Sequence, residues 1–416
     1  MKYYLMLLML LPLALVAQQY SLDELIGHGL EHGWSIQRAD IAYESSRSSL
    51  SSAKWNLLPD VDLNAGIRND FYHPLTPGVS DLSSSAGISL SKTISLNDAD
   101  WFNYKYAQLD EKKAALSREN SSAAFAYNVF SAFLDVLSAQ KQLASLQKNL
   151  EIQSRVWEQS KVLNKLGKNT TFDVKQSEIA VMNSRISIIQ LENTIDTKRR
   201  ELFGLIQKED EGYPLADLAP TEGFQLPIFT EESSNEIKLL QADIRRSELS
   251  KKQNFLDYFP RVNLVYNLSR SVGGEDFDFD QYSTSHTVSL NLSYSLWNHF
   301  KQSQSAKRSD LSLRLVQLEL QDKIDSQRRQ YQILEQELQY LQRLDELYRD
   351  KLSQSAEQIA QAEERYKLGL IDILELDKTR VEYIDSDISY NNNRYQILAK
   401  QEAINHLLSL KLLGKW

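Results

Sequence analysis

Apolar and polar side chains alternate along four short segments of the chain. In the first segment, Val61, Leu63, Ala65 and Ile67 alternate with polar or small residues. A period of two is typical of a β-strand with one apolar face and one face that contacts water. The same alternation recurs three more times and predicts strands at about residues 60–69, 85–96, 261–270 and 285–296.

Two much longer segments lack the residues that interrupt helices. Neither Pro nor Gly occurs from Asp98 to Leu166 or from His299 to Leu368. A helix of roughly 68 residues would be about 100 Å long, so these helices must pack lengthwise on others. Apolar residues recur in them at the short steps of a coiled-coil seam, and they include Phe130, Phe133, Leu137, Leu334, Leu338 and Leu341.

One structural plan is written twice along the chain. Pro59 and Pro260 lie 201 residues apart, and Gly167 and Gly369 lie 202 residues apart. Each proline ends a helix, because the residue before proline favours extended backbone, and each glycine ends a long helix. The plan predicts helices over 22–56 and 235–257, and return helices over about 173–205 and 372–412. The first repeat is then residues 18–207 and the second is 235–416, with an irregular linker rich in Gly and Pro over 208–234.

The N-terminal segment predicts export. Lys2 precedes an apolar run from Leu5 to Val16, and a small residue follows at Ala17. The run is shorter than the roughly 20 residues of a membrane-spanning helix, so we favour a signal peptide over 1–17, cleaved after Ala17, rather than a membrane anchor. No other stretch is predicted to be apolar enough for a transmembrane helix, so a membrane location would depend on the strands.

Composition excludes several classes of function. The formal net charge of −9 argues against a nucleic-acid surface, which needs clustered Lys and Arg. The chain has no cysteine, which excludes disulfides, thiol catalysis and thiolate metal sites. It has neither a Gly-rich phosphate loop nor a combination of nucleophile, base and orienting residue, so we expect no enzyme activity, no cofactor and no metal.

Two motifs that could hold metal ions have simpler interpretations. Glu24, His28 and His32 lie at four-residue steps on a predicted helix, a spacing that can bind a metal, but surface histidines are the favoured interpretation. The acidic run from Gly273 to Asp280 lacks the ligand spacing of a calcium loop and is interpreted as an extracellular hairpin loop.

The polar faces of the predicted strands are rich in Ser and Asn, which suits either a soluble sheet or a membrane barrel. The export signal favours the barrel. Closed barrels start at about eight strands, because an open sheet edge cannot exist in lipid, so a chain with four strands requires other copies. Two copies would give a filled interior of about eight strands, whereas three copies would give about twelve and leave a lumen. A trimer is therefore expected if the protein conducts.

The doubled order of helix, proline, strand, loop, strand, long helix, glycine turn and helix resembles the TolC-type outer-membrane efflux channels over essentially the whole mature length. The most specific local match runs from Tyr366 to Leu376. It resembles the family's Tyr-x-x-Gly turn, which is followed by a carboxylate six residues after the glycine. The first repeat has the same spacing between Gly167 and Asp173.

This resemblance implies a homotrimer in the bacterial outer membrane, with a twelve-stranded β-barrel built from four strands per chain and an α-helical coiled-coil barrel in the periplasm. It also implies a passive exit duct for efflux or type I secretion. The duct would be coupled through a periplasmic adaptor to an inner-membrane pump of the RND, ABC or MFS type, and outer-membrane lipid would surround the barrel. The alternative is an exported coiled-coil scaffold without a pore.

The same resemblance assigns candidate site residues. Glu375 is the first choice for a ring of negative charge at the pore entrance, which would attract cations. Lys378 lies where the family often has a second carboxylate, which argues against a double acidic ring. Charges on a solvated helix face are the alternative interpretation, and Tyr366 either hydrogen-bonds across helices or packs in a core. Further pore-entrance candidates are Asp372, Asp377, Tyr366 and Asp173, and the adaptor-docking turns are Leu166, Gly167, Lys168, Leu368, Gly369 and Leu370.

Overall fold

The computed structural model describes residues 19–69, 82–168, 170–218, 220, 224–232, 234–273 and 283–415. The predicted signal segment, 1–17, and the acidic run after Gly273 lie outside the described residues. In chain order the elements are α1 (Leu22–His32), α2 (Trp34–Trp55), β1 (Asp60–Asn69), β2 (Leu82–Ser95), α3 (Ala99–Lys165), α4 (Thr171–Ile206), α5 (Asn235–Leu256), β3 (Arg261–Gly273), β4 (Ser283–Ser293), α6 (Asn298–Lys367), α7 (Ile373–Leu407) and a 3₁₀ turn (Leu412–Gly414).

Some boundaries differ from those that the sequence predicts. The helix predicted over 22–56 is two helices, because Gly33 between them adopts an extended backbone with φ −63° and ψ 131°. Helix α7 ends at Leu407 rather than near residue 412, and Ser409 beyond it has a positive φ of 51°. Strand β2 begins earlier than predicted, at Leu82, where it pairs with Asn69 of β1.

The four strands form one antiparallel sheet in the order β1-β2-β3-β4. The register aligns Leu63 with Ile88 and Ile88 with Leu268, so the apolar positions of neighbouring strands share one face. This face is uncovered in the chain, where Leu63 is 79% exposed and Val288 is 71% exposed. An apolar sheet face of this extent requires a cover, and the residues that the structure describes do not supply one.

One charged residue interrupts the apolar face of β2. Lys92 lies between Leu90 and Ile94 in the alternation. Its Nζ donates to the Asp100 carboxylate at 2.7 Å and to the Asn56 carbonyl at 2.9 Å. The long Lys side chain therefore carries its charge off the apolar face to polar partners on the helical segments that flank the strands.

The chain forms two compact units. The helical unit comprises the described residues within 1–37, 121–230 and 328–416, and the sheet unit comprises those within 38–120 and 231–327. Each unit takes residues from both sequence repeats, because α3 and α6 contribute to both. The two repeats therefore duplicate the order of helices and strands along the chain, but neither repeat forms a compact unit by itself.

The largest core lies in the helical unit. Phe130 and Phe133 of α3 pack with Leu202 of α4 and Leu25 of α1, and all four side chains are almost completely buried. Burial of each such side chain contributes roughly 1.5–3 kcal/mol. The predicted seam of α6 forms a separate cluster in which Leu334, Leu338 and Leu341 pack with residues of α7. The predicted long helices are thus held by lengthwise packing on the return helices.

The described residues of the linker after α4 form no helix or strand, and hydrogen bonds attach them to the helical unit. The Tyr20 backbone N donates to the Pro214 carbonyl at 3.0 Å, and the Ala216 N donates to the Tyr20 carbonyl at 2.9 Å. Asp217 accepts hydrogen bonds from Tyr395 of α7 at 3.0 Å and from Lys141 of α3 at 2.7 Å. The linker therefore connects Tyr20, which precedes α1, to helices α3 and α7 of this unit.

Helix α3 contains an apolar window that the sequence prediction overlooked. By length and composition this window could cross a membrane, and half of it is buried within the structure. The buried residues Phe125, Phe130, Phe133 and Leu137 of this helix belong to the core of the helical unit. The prediction that no other stretch is apolar enough was therefore wrong, and core packing accounts for the apolar character.

Helix α4 has two apolar faces. One face packs inward through Val181, Ile188 and Ile195. The other face carries exposed apolar residues at alternating steps of three and four, the seam spacing of a coiled coil, and these are Ile179, Met182, Ile186 and Ile189. A helix with a second apolar seam needs a second packing partner.

Gly29 provides a test of how tightly α1 packs. A Cβ at this position would lie 2.6 Å from the Phe125 ring and 2.9 Å from the Ile206 Cγ2. We expect Gly29→Ala to lower the free energy of unfolding by about 1–3 kcal/mol through overpacking. Thermal unfolding followed by far-ultraviolet circular dichroism measures this loss as a lower Tm.

Gly204→Ala is the matched control, because nothing lies within 4 Å of a Cβ at Gly204 on α4. Alanine favours helix over glycine by up to about 1 kcal/mol, so this variant should have an unchanged or higher Tm. Equal Tm values for the Gly29→Ala variant and the unmodified protein would show that the contact with Phe125 costs no more than the helix propensity that alanine gains, which contradicts overpacking.

Candidate functional site

The first helix turn joins α3 to α4. Gly167 has a φ of +71°, the left-handed region that favours glycine. The Lys168 N donates to the Leu163 carbonyl at 2.9 Å, and the Gly167 N donates to the Asn164 carbonyl at 2.9 Å. These two bonds form a Schellman motif, which satisfies the last carbonyls of α3 and ends the helix.

The second turn, between α6 and α7, repeats this geometry. Gly369 has a φ of +70°. The Leu370 N donates to the Arg365 carbonyl and the Gly369 N donates to the Tyr366 carbonyl, both at 2.9 Å. The sequence duplication therefore extends to individual hydrogen bonds, and both glycines have the helix-ending role that the sequence predicts.

Each return helix begins with a side-chain cap three residues after the glycine. In the first turn, the Asp173 N donates to Thr170 Oγ1 at 3.2 Å, and the Asp173 carboxylate accepts from the Thr170 N at 2.8 Å. This reciprocal pair is a capping box. In the second turn, the Glu375 N donates to the Asp372 carboxylate at 2.8 Å. The carboxylate six residues after each glycine is thus the third residue of a helix.

The two carboxylates at this position differ in their surroundings. The Asp173 carboxylate also accepts from Thr170 Oγ1 at 2.8 Å, so it is held within its own turn. Glu375 is exposed, and within the part of the chain that the structure describes its carboxylate has no hydrogen-bond partner. Of the two, only Glu375 presents its charge freely to its surroundings.

Both turns expose large apolar side chains. Leu368 is 73% exposed and Leu370 is 65% exposed, and Leu166 is similarly exposed at the first turn. The structure adds Phe172, 71% exposed, and Leu374, which lie five residues after the respective glycines and which the sequence interpretation missed. Aligning the two turns on their glycines would have revealed this shared apolar position. Exposed apolar clusters of this kind mark protein-binding surfaces.

Tyr366 lies in a buried cluster beneath the second turn. It packs with Leu376 of α7 and with Val156 of α3. The helical hairpin α3–α4 therefore contacts the helical hairpin α6–α7 at this position. The structure therefore places Tyr366 in a packed core, one of the two roles considered from the sequence.

Arg380 is the main charged residue of this region that the sequence interpretation missed. It is 1% exposed, and its Nη1 donates to Asp377 Oδ1 at 3.0 Å. Its Nη2 lies 4.0 Å from Glu363 Oε1. Burial lowers the pKa of Arg380, and the charges of Asp377 and Glu363 oppose this shift. The i, i+3 spacing of Asp377 and Arg380 on a helix was the sequence signal that could have identified the pair.

This ion pair changes the interpretation of Asp377. Burial raises the pKa of the Asp377 carboxyl, and the adjacent Arg380 opposes the shift. A cavity of about 90 Å³ adjoins the pair and is lined by Tyr366, Glu363 and residues of α3. The charge of Asp377 is therefore largely balanced inside the protein, unlike that of Glu375.

A family model described as "Outer membrane efflux protein" matches residues 25–206 and 230–409 of the chain. The two matched segments correspond to the two sequence repeats. No curated protein matches the chain in sequence.

Several solved channel structures share the fold. The Campylobacter jejuni CmeC outer membrane channel aligns with a TM-score of 0.83 at 13% identity, covering 93% of this chain and 85% of that chain. The Vibrio cholerae outer membrane protein VceC aligns with a TM-score of 0.82 at 13% identity, covering 94% and 96%. The Neisseria gonorrhoeae MtrE outer membrane channel, in its open state, aligns with a TM-score of 0.78 at 14% identity, covering 94% and 89%.

The positive φ of Gly369 generates a testable prediction. Nothing lies within 4 Å of a Cβ at this position, so Gly369→Ala adds backbone strain without a clash. The left-handed conformation should cost alanine about 1–2 kcal/mol. Hydrogen exchange at the Leu370 amide should therefore become faster.

Gly369→Asn is the graded control, because asparagine tolerates this conformation better than alanine. Its exchange rate at the same amide should fall between those of alanine and glycine. If all three proteins exchange at one rate, the Schellman bonds do not limit opening of the turn.

Proposed function

The chain belongs to the outer membrane efflux protein family, and from this membership we propose that it is the passive exit duct of a tripartite export system. In this system the helix turns bind a periplasmic adaptor, and the adaptor connects the duct to an inner-membrane pump of the RND, ABC or MFS type. The observation that carries the proposal is the pair of matching turns, each stabilised by a Schellman motif and each exposing large apolar side chains.

Family membership confirms the resemblance to TolC-type channels. The chain is an outer-membrane efflux channel subunit with its helices in the periplasm, and it is not an enzyme. The fold is that of trimeric channels in which each chain contributes four strands to the barrel. The scaffold without a pore, considered as an alternative from the sequence, is not favoured.

The barrel and export assignments complete the proposal. The exposed apolar face of the sheet, which includes Leu63 and Val288, would contact outer-membrane lipid. Residues 1–17 would direct export and be removed after Ala17. Tyr20, close to this cleavage position, is buried and hydrogen-bonded to the linker, so the fold would begin almost at the mature N-terminus.

The adaptor-docking surface would be formed by apolar contacts around the two glycine turns. Gly167 and Gly369 set the backbone, and Lys168 adds a charge at the first turn where the second has Leu370. The Schellman bonds hold the backbone of both turns in place, so little backbone freedom is lost when a partner covers the leucines, which favours binding. The structure supports extending this surface to include Phe172 and Leu374.

We propose an acidic ring at the pore entrance that includes fewer residues than the set of candidates taken from the sequence. Glu375 is exposed and Asp372 caps α7 beside it, so three copies would bring several negative charges together. Asp377 is balanced by Arg380 and Asp173 is held by Thr170, so neither is included in the ring. Tyr366 would support the ring by packing beneath the turn.

The acidic ring predicts cation preference. We expect Glu375→Gln to reduce the cation selectivity of single channels of the purified trimer, because the variant removes one charge per chain at constant size. The reversal potential across a planar bilayer under a salt gradient measures this change. Discrete pores in the unmodified protein would support the duct itself.

Glu364→Gln is the matched control, because Glu364 is an exposed carboxylate already paired with Lys367 at 2.6 Å. It should leave the reversal potential unchanged. A reversal potential that is the same in all three proteins would discard the ring and retain the channel, whereas purified trimers that never conduct would count against the duct.

The docking surface predicts loss of adaptor binding. Replacing Leu368 and Leu370 together by Glu should strongly reduce the amount of membrane-fusion-type adaptor crosslinked to the channel in the native host, because apolar contacts are lost and charge is introduced. Mass spectrometry of the crosslinked complexes measures the adaptor recovered per trimer. Ile228→Glu, at an exposed apolar residue of the linker, is the control. Equal recovery from both variants would refute docking at the turns.

A further inference from the structure

Arg380 of α7 is buried with one edge of its guanidinium group unpartnered. It is 1% exposed, and its Nη1 donates to Asp377 Oδ1 at 3.0 Å. Its Nη2 lies 4.0 Å from Glu363 Oε1, which is too far for a hydrogen bond. Among the residues that the structure describes, neither Nε nor Nη2 of Arg380 has a hydrogen-bond partner. A buried charged donor without a partner is costly, and a bound water or ion is the common explanation for one.

The unpartnered edge of Arg380 adjoins the cavity of about 90 Å³ beneath the second turn. Glu363, the residue next to Nη2, lines this cavity, so the Nη2 side of the guanidinium is the side beside it. A cavity needs roughly 10–15 Å³ to hold one water, so this one has room for a small ion with water. Its lining includes buried side chains, which are Val156, Tyr366 and Leu376, and exposed ones, which are Arg155, Gln159 and Lys367. An ion can therefore enter from solvent.

Positive charge is in excess around the cavity. Arg155 of α3, Lys367 of α6 and Arg380 of α7 all line it. Glu363 is the one carboxylate among the described lining residues, and Asp377 adds a second beside the cavity through its bond to Arg380. Two carboxylates balance two of the three cations, which leaves one positive charge for a ligand to balance.

The two flanking cations have partners outside the cavity. Arg155 lies 3.9 Å from Glu151, and Lys367 pairs with Glu364 at 2.6 Å. Both pairs are exposed, so solvent screens and weakens them. Burial lowers the pKa of Arg380, and the positive charge of Arg155 acts in the same direction. The two guanidinium groups therefore repel each other, and an anion bound beside both would relieve this repulsion.

The geometry of the guanidinium suits a small anion. The Nε–H group and one Nη2–H group lie parallel on the same edge of the planar group, so both can donate to one acceptor. Such charge-assisted hydrogen bonds are the stronger ones in proteins. A monovalent anion matches the single excess charge, whereas a divalent oxyanion would exceed it and would be repelled more strongly by Glu363.

We propose that this cavity binds one small monovalent inorganic anion per chain, of the chloride class, which accepts hydrogen bonds from Nε and Nη2 of Arg380. The anion would join α3, α6 and α7 just beneath the second turn. The site does not depend on the proposed coupling to an adaptor or pump.

The test measures halide binding to the purified trimer in a gluconate buffer of constant ionic strength, because gluconate is too large for the cavity. Broadening of the chloride NMR signal should saturate as chloride is added. Crystals soaked in bromide should show one anomalous peak per chain, within hydrogen-bond distance of Nε and Nη2 of Arg380.

Three variants test the residues that carry the proposal. Arg380→Lys keeps the positive charge beside Asp377 but removes the pair of parallel N–H groups, so it should weaken halide binding by at least about tenfold. Arg155→Gln removes a flanking cation at an exposed position and should weaken binding several-fold. Arg349→Gln is the matched control, because Arg349 is exposed and also pairs with a carboxylate four residues earlier, Asp345. It should retain the affinity of the unmodified protein.

Glu363→Gln separates an anion site from a purely structural ion pair. Removing this carboxylate should tighten halide binding several-fold, because its repulsion of the anion is lost. A structural pair with Arg380 would instead lose only stability, seen as a lower Tm. The proposal is overturned if no bromide peak appears at Arg380 and the cavity holds only water, or if Arg380→Lys binds halide as tightly as the unmodified protein. It is also overturned if Arg349→Gln weakens binding as much as Arg155→Gln, or if Glu363→Gln does not tighten it.

Discussion

The unpaired edges of the four-stranded sheet impose the constraint on which the rest of the assembly depends. Among the described strands, β1 pairs only with β2 and β4 pairs only with β3, so each outer strand leaves a row of backbone groups without partners in the chain. In hydrocarbon each unsatisfied backbone group costs several kcal/mol, so the sheet is stable in a membrane only when closed. Because all copies are identical, closure requires β1 of one protomer to pair with β4 of the next, which is the heterologous contact that generates a ring. The number of strands per chain thus makes closure of the barrel depend on other copies of the chain.

The helices follow from the same requirement for other copies. A barrel closed by three chains brings three sets of long helices together, and each set must present apolar surface to its neighbours. Helix α4 does so with its second seam, which includes Ile179 and Ile186, while its first seam is satisfied within the chain. That inner seam is not purely apolar, because Ser184 Oγ donates to Gln153 at 2.8 Å where α4 packs on α3. Buried polar pairs at such positions favour one register of a coiled coil over alternatives that bury more apolar area.

The sequence predicted the elements far better than the site, and the reasons are physical. Strand alternation, helix length and the helix-ending glycines are local properties, and the structure has all four strands and both turns where these patterns occur. The break at Gly33 was not predictable locally, because it depends on how α1 packs against Phe125 of a distant segment. The apolar window of α3 was ambiguous for the same reason, since only tertiary packing distinguishes a core helix from a membrane span. Arg380 was missed because burial, and not charge, makes it unusual, and burial is a property of the folded chain.

The two turns show why carboxylate spacing alone does not define a site. Asp173 and Glu375 occupy equivalent positions after equivalent glycines, and they differ both in side-chain length and in the residue three positions earlier, which is Thr170 in one turn and Asp372 in the other. Thr170 can both accept from the helix backbone and donate from its hydroxyl, so it draws Asp173 back into the turn. Asp372 accepts the same backbone bond but, when ionised, has no hydrogen to donate, and its negative charge repels a second carboxylate. The chemistry of the cap residue therefore influences whether the following carboxylate is hydrogen-bonded within its own turn or remains free of it. The two copies of the motif therefore place equivalent carboxylates in different hydrogen-bonding environments, although the backbone geometry of the two turns is the same.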